Sequence, residues 1–406
     1  MSSTSVLISP NRRPAHQPGS PPGPVLAGIS LAPEPLAVQD LDRILDRSSQ
    51  FAFHFQPIVD LLRGVTVGFE ALARFSIAGG RIAPNLVFEA ASKFDRRLDL
   101  EDMVVREALL TRRSLPANCF LSLNVGPAFL LSDRFDKLLY ETDSLAGVVV
   151  EITEDEMIAD YGLVKRKLAF IRAKGGLAAV DDAGSGYSSL KHVMEIRPNF
   201  IKLDRCFVSG CDTDPAKAVL IGMLGTAANR LDAWIIAEGV ETIAELDELI
   251  RLGVPLAQGF YLARPEPAMR SLDPDKRTQL IQRAVAFATP TGIHRSVEQA
   301  IICTDRRDAE LQLGTKPDGS VAVVLSTTGQ PELAIERHPV LGIRGLSHLM
   351  RVQLGSDAHE VLSRALTRPQ KQRYDPLIAI DELGQLQGVV HIDRLTRETL
   401  KLHSVS

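Results

Sequence analysis

From about residue 38, strand-like and helix-like patterns of hydrophobic and polar positions alternate along the chain. Eight short runs rich in β-branched and aromatic residues read as strands: "FAFHFQPIV" (51–59), "VTVGFEAL" (65–72), "CFLSLNV" (119–125), "GVVVEIT" (147–153), "GLAAVDD" (176–182), "FIKLD" (200–204), "WIIAEGV" (234–240) and "QGFYLA" (258–263). Amphipathic segments such as "DRRLDLEDMVVREALLTRRS" and "YGLVKRKLAFIRAKG" lie between most of them. The second ends in a basic turn followed by glycine, as helix C-termini do. Strands alternating with helices over ~220 residues predict an α/β fold, a (β/α)8 TIM-like barrel. The connection in "VDLLRGVTV" has room only for a tight turn. The first two strands are therefore expected to pair antiparallel, because a parallel crossover needs a far longer connection.

The pattern changes on both sides of this block. Residues 1–35 are rich in Pro, Ser and Gly ("HQPGSPPGPVLAG") and predict a disordered tail ahead of a barrel over 36–275. After "ARPEP" (263–267), the segment "DPDKRTQLIQRAVAFATP" (273–290) reads as a helix stopping at Pro290, so 276–290 is expected to link to a smaller α/β domain over 291–406. That domain contains two similar units, 306–337 and 358–395. Each reads helix, loop, apolar strand, Gly-containing turn and second strand, with "STTGQPE" and "DELGQLQ" aligned at the turns. Two such halves can cover one another's apolar faces. A linker that is itself helical leaves no loose spacer, so the C-terminal domain is expected to modulate the barrel or its dimer.

Composition narrows the class. The 406 residues are 45% hydrophobic and 24% charged, with a formal net charge of −4. This balance gives no reason to expect binding to a nucleic acid polymer or an anionic membrane, although a local basic pocket for a phosphorylated ligand is compatible with it. No apolar run approaches a membrane span, and "MSSTSVLISPNRRP" lacks a signal-peptide core. Cys119, Cys206, Cys211 and Cys303 are scattered, with no CxxC pair. A soluble, cytoplasmic protein is expected.

Candidate chemistry collects at the C-terminal ends of the predicted strands: Glu70, Asn124, Glu151, Asp181 with Asp182, Lys202 with Asp204, Glu238 with Glu241, and Gln258. Taken alone, Glu70 in "EALAR" reads as a strand end at solvent, salt-bridged to Arg74. In a parallel barrel, however, all these positions fall on one rim, where barrel active sites lie. Carboxylates gathered there repel one another and call for a cation. The donors are hard oxygens with no His or Cys among them, which suits Mg²⁺ or Mn²⁺, with Ca²⁺ as an inhibitory substitute, and argues against zinc. Adjacent aspartates can diverge toward two ions about 3.5–4 Å apart, a geometry for phosphoryl transfer. Lys202 could orient a water or stabilise developing charge. The composition of the cluster equally allows an enolase-like proton abstraction.

The blocks "FQPIVDL", "GFEALAR", "LSLNVGP", "VVVEITE", "DDAGSGYSSL", "FIKLDRCFV", "IIAEGVET" and "AQGFYLARP" occur in the order found in EAL-domain phosphodiesterases of cyclic di-GMP, and over about residues 40–268 the chain resembles that family. The resemblance implies a barrel with an antiparallel first strand and two-metal hydrolysis of cyclic di-GMP to linear pGpG. It implies that Glu70, Asn124, Glu151 and Asp181 hold the first ion, that Asp181 bridges to the second, and that Asp182 and Glu238 lie nearby, Glu238 as a general-base candidate. Lys202 would hold the catalytic water, with Gln258, Glu241 and Asp204 supporting the site. Gln56, Leu72 and Arg74 would form the substrate wall, Arg74 as a forked phosphate donor. Glu154 would fix the "DDAGSGYSS" loop that couples dimerisation to the site, implying a homodimer. Gly126, Ala183, Ser185 and Cys206 replace the usual Ser, Phe, Thr and Ser. Cys206 is expected to be a small buried residue. Ala183, on the regulatory loop, motivates the alternative of a receptor that binds cyclic di-GMP without cleaving it. The C-terminal repeat resembles a pair of CBS modules, which often bind adenine nucleotides. His391 and Arg394 stand where that family has Thr and Asp, so the ligand of this domain, if it has one, is left open.

Overall fold

The computed structural model describes residues 36–46, 50–77, 80–153, 160–183, 187–287 and 292–403. The predicted tail and Glu154 lie outside the described residues. Eight strands close into a barrel: β1 (Gln50–Asp60), β2 (Val65–Ile77), β4 (Phe120–Val125), β5 (Val148–Ile152), β6 (Leu177–Ala183), β7 (Phe200–Leu203), β8 (Trp234–Ala237) and β9 (Leu256–Ala257). A short β3 (Gly80–Ile82) only extends the end of β2. β1 runs antiparallel to both β2 and β9, and the remaining neighbours pair parallel. The antiparallel hairpin expected from the short connection is therefore present, and β1 closes the barrel.

Two predicted strand ends are corrected. β8 stops at Ala237, not at residue 240, and the last strand is Leu256–Ala257, not 258–263. The cause is where the backbone hydrogen bonds go. Val240 N–H donates to the Gln258 carbonyl and Tyr261 N–H to the Val240 carbonyl, while Leu262 and Ala263 N–H both turn back to Gly259. The two segments thus stack as turns above the barrel. A Cβ on Gly259 would stand 2.2 Å from the Val240 backbone, so only glycine permits this approach.

Along a strand, side chains alternate between faces. Outward residues such as Phe69, Leu121, Val150 and Leu203 pack in the main core, which the surrounding helices cover. Inward residues near the strand starts, including Phe120, Val149, Phe200, Trp234 and Leu256, form a separate apolar cluster inside the barrel. Gly68 faces that cluster, and a Cβ there would lie 2.5 Å from the Phe120 ring.

After the helix Pro274–Phe287 the chain forms two four-stranded sheets. Their strands are β10 (Val297–Glu298), β11 (Ile301–Cys303), β12 (Val321–Leu325), β13 (Pro331–His338), β14 (Gly342–Gly345), β15 (Arg351–Gln353), β16 (Leu377–Ile380) and β17 (Leu386–Val390). The units β11–β13 and β15–β17 share one plan: a parallel pair joined through a helix, then an antiparallel strand. Val321, Val323 and Ala334 of one unit pack with Ile378 and Val389 of the other. The units diverge at their ends, where β13 is followed by β14 and β17 by the helix Ile392–His403.

This domain docks on the barrel's base, at the starts of the parallel strands. Leu383, in the β16–β17 turn, packs against the inner apolar cluster. Beside it, Arg63 Nη2 reaches both oxygens of Glu382 at 2.6 and 2.8 Å, while its Nε holds Asp60 at 2.8 Å. Gln353 Nε2 donates to the Ala233 carbonyl, and Arg364 to the Asn229 carbonyl and the Asp232 carboxylate.

Candidate active site

The inward alternation that fills the lower barrel with apolar side chains delivers polar ones at its top. Phe120 is followed on the same face by Ser122 and Asn124, Val149 by Glu151, Ala179 by Asp181, Phe200 by Lys202, Ile236 by Glu238, and Leu256 by Gln258. Glu238 N–H donates to the Leu203 carbonyl and Gln258 N–H to the Ala237 carbonyl, which keeps both residues in line with their strands past the assigned ends.

The Lys202 ammonium lies at the centre of this layer. Its Nζ is 2.7 Å from Glu238, 2.9 Å from Glu151, 3.1 Å from Asp181 and 3.6 Å from Glu70. Amides and a hydroxyl complete the network. Asn124 Nδ2 donates to Glu70 at 2.9 Å, Gln258 Nε2 donates to Glu70 at 2.7 Å and to Glu238 at 2.9 Å, and Ser122 Oγ donates to Glu151. Glu151 and Lys202 are 0% and 1% exposed, so these charges interact in a low-dielectric setting with little screening.

The environment separates the carboxyls. Burial raises Glu151 to about 8, Lys202 opposing the rise and Glu70 and Asp181 adding to it. Burial also drives Glu238 well above the carboxylate range, again against Lys202, with Asp181 and Glu70 repelling it. For Glu70 burial acts in the same sense, but Lys202 and the amides of Asn124 and Gln258 outweigh it and hold the group below its ordinary value. Burial alone would lower Lys202; the four carboxylates reverse this and keep it firmly protonated.

Among the described residues, no three acidic, His or Cys side chains are spaced to hold a metal ion by themselves. The donor set nevertheless fits a hard divalent cation: four carboxylates face one ammonium, and the buried Oε1 of Gln258 has no hydrogen-bond partner.

The remaining predicted residues spread outward. Gln56 pairs across the hairpin with Glu70, and its Nε2 donates to the Ala263 carbonyl. Leu72 and Arg74 share the inward face of β2 with Glu70 and line one cavity of about 330 Å³ beside Asn124. Arg74 makes no ion pair with Glu70; its Nη1 donates to the Ala73 carbonyl. Asp182 lies on β6, but its side chain is outside the described set. Asp204 and Glu241 form no ion pair with Lys202. Asp204 caps the short helix Arg205–Val208 through the Cys206 N–H, and Glu241 pairs with Arg205 at 2.9 Å. Cys206 is exposed at the start of that helix rather than buried, because the cap turns it outward. Ser122 was not singled out from sequence, although its place two residues before Asn124 in "LSLNV" carried the signal.

The EAL domain family matches residues 38–265, more than half of the chain, and the chain belongs to that family. Cyclic di-GMP phosphodiesterase RocR of Pseudomonas aeruginosa is 34% identical over 248 residues, covering 58% of this chain and 62% of RocR. The c-di-GMP complex of the PaMucR phosphodiesterase superposes with a TM-score of 0.50 at 29% identity, over 57% of this chain and 97% of that one. The EAL-containing YkuI protein of Bacillus subtilis, solved with c-di-GMP and calcium, gives 0.54 at 22% identity, over 62% of this chain and 64% of its own, and speaks for the fold alone. The chain spans 62% of RocR and 44% of the E. coli relative PdeG, less than two thirds of either.

Proposed function

We propose that this protein is a metal-dependent phosphodiesterase that hydrolyses cyclic di-GMP to linear pGpG. The observation carrying this reading is the convergence of Glu70, Glu151, Asp181 and Glu238, with Asn124 and Gln258, on Lys202 at the rim of an EAL barrel. The names of RocR and PaMucR support the substrate.

Glu70, Asn124, Glu151 and Asp181 would hold one ion, and Asp181 with Asp182 a second. Mg²⁺ or Mn²⁺ suits this oxygen set, and Ca²⁺ would bind without supporting turnover. Bound ions would polarise the phosphate and acidify a water. The chain's own residues then set the geometry. Lys202 holds the water and balances charge among the carboxylates. Glu238, joined to Lys202 and Gln258, is placed to accept a proton. Gln56, Leu72 and Arg74 wall the substrate, with Arg74 in no close ion pair among the described residues and so placed to meet a phosphate.

The reading extends to the whole chain. We place the enzyme in the cytoplasm, in keeping with its four free cysteines; no helix among the described residues is long and apolar enough to cross a membrane. A homodimer would cover Val219, Leu220 and Met223, which the helix Pro215–Arg230 presents to solvent. The C-terminal pair of units is CBS-like and regulatory in this reading, supported by their shared plan and their docking on the barrel base.

Purified full-length protein incubated with cyclic di-GMP and Mg²⁺ or Mn²⁺ should yield pGpG by chromatography, and EDTA should stop it. Glu70→Ala should lower turnover by more than roughly 100-fold while thermal unfolding stays cooperative, since a metal ligand is lost with little packing. Saturable binding of cyclic di-GMP with no product at any metal concentration would instead establish a receptor and overturn the enzymatic reading.

A further inference from the structure

A cleft of about 1100 Å³ opens between the base of the barrel and the C-terminal domain, lined by both. It lies on the face opposite the Lys202 cluster and is large enough for a nucleotide-sized molecule. Its barrel wall includes the end of the helix Tyr161–Ala173 and the turns leading into β6 and β7, which carry Arg172, Lys174 and Arg197. Two of these cations are anchored on backbone carbonyls: Arg172 Nη2 donates to the Arg197 carbonyl at 2.7 Å and Lys174 Nζ to the Thr142 carbonyl at 2.6 Å. Arg351, on the opposite wall, is held the same way, its Nη2 donating to the Pro331 carbonyl at 2.8 Å. None of the four forms an ion pair among the described residues.

The carboxylates of the cleft are mostly committed elsewhere. Asp232 pairs with Arg364, a fifth cation of the lining that it neutralises, and Glu382 with Arg63, while Asp381 accepts amides of its own turn. Asp143 and Glu332 remain against four cations. Burial lowers the Arg172 pKa, and no acid offsets that cost. Beside Arg351, the β12–β13 turn adds the hydroxyls of Ser326 and Thr328 to the lining. Guanidinium forks and an ammonium fixed by carbonyls are pure donors, and hydroxyls stand beside them, the chemistry that recognises phosphate oxygens. Pre-anchored cations also lose little freedom on binding.

We infer that this interdomain cleft is an effector site for a small, multiply charged phosphorylated molecule. Asn199 and Trp234 line it too, at the lower ends of the strands whose upper ends carry Lys202 and Glu238. An occupant would grip both domains and the base of the catalytic strands together. The site is separate from the one assigned to cyclic di-GMP, and its existence does not depend on that assignment.

Isothermal titration of the full chain with sodium pyrophosphate and, separately, with ATP, both in EDTA, tests the inference. One saturable site per chain is expected, weakened by roughly tenfold or more in Arg172→Glu/Arg197→Glu and in Arg351→Glu, as loss of charge-assisted hydrogen bonds requires. Arg307→Glu, outside the cleft, should bind as the wild type does. Tighter binding of ATP would assign a nucleotide; equal affinities would assign recognition to the phosphates alone. Where a charge reversal disturbs folding by circular dichroism, the Gln substitutions at the same positions carry the comparison. Absence of saturable binding of both probes, or binding that survives both sets of changes, overturns the inference.

Discussion

Arg74 stands four residues after Glu70, and the two share a strand face, yet they do not pair. Glu70 is committed to Lys202, Asn124 and Gln258, and Arg74 turns to the Ala73 carbonyl. Reversing its charge removes no internal ion pair and sets a negative group against the proposed phosphate. Arg74→Glu should therefore raise KM for cyclic di-GMP by roughly tenfold or more while leaving Tm nearly unchanged; a large fall in Tm with unaltered KM would assign Arg74 to the fold. Gly126 also becomes explicable at this scale. The buried Glu101 carboxylate accepts the Gly126 N–H at 2.9 Å, and a Cβ at 126 would stand 2.8 Å from its Oε1. The sequence marks this glycine as a departure from the family pattern, and Glu101, 25 positions away, would have to shift to admit a side chain there.

At the scale of elements, alternation within each strand is what places the site. One face serves the core, and the other changes along its length from apolar to polar, so an apolar plug lies beneath the charged layer. Both the strands and this polar drift were legible, because period-two patterning is local. Strand ends were less legible: "EGV" and "QGFYLA" have strand-like composition, but their backbone groups bond to one another as turns. Gly68 shows the tolerance of the plug. Gly68→Ala would drive a methyl into the Phe120 ring and should cost about 1–3 kcal/mol in denaturant unfolding. A cost near zero would mean that the barrel interior relaxes around the added carbon.

At the scale of the molecule, Leu383 and the Arg63–Glu382 pair are two of the contacts that join the C-terminal domain to the barrel. Burial raises the Glu382 carboxyl to about 7, Arg63 opposing the rise and Asp381 adding to it. A carboxyl raised in the folded state takes up a proton on folding, so its stabilising contribution is full below about 4.5 and is lost as pH rises through about 7. Wild-type stability should thus decline relative to Glu382→Gln between pH 5 and 8, as paired thermal melts would show; parallel curves would remove Glu382 from the pH response. Leu383→Asp places a charge against the inner apolar cluster and should lower stability by about 2–3 kcal/mol. It should also alter phosphodiesterase rate or oligomeric state if docking transmits regulation. Unchanged rate and assembly in an undocked variant would confine the domain to a structural role.

The sequence by itself determined the alternation of strands and helices, the antiparallel first hairpin and the row of polar residues at the strand ends, because each is written in short-range periodicity and connection length. Only the tertiary structure decided which of those polar residues meet. Barrel closure brings Gln258 to Glu70 across 188 positions and sets four carboxylates around one lysine, while Asp204 and Glu241, equally polar and equally near strand ends, are drawn off to a helix cap and a surface pair. The same holds at the base, where Arg63 and Glu382 read as ordinary surface charges until folding joins them across 319 positions. Distances of a few ångströms fix electrostatic partners, and only closure of the chain on itself sets such distances between residues this far apart in sequence.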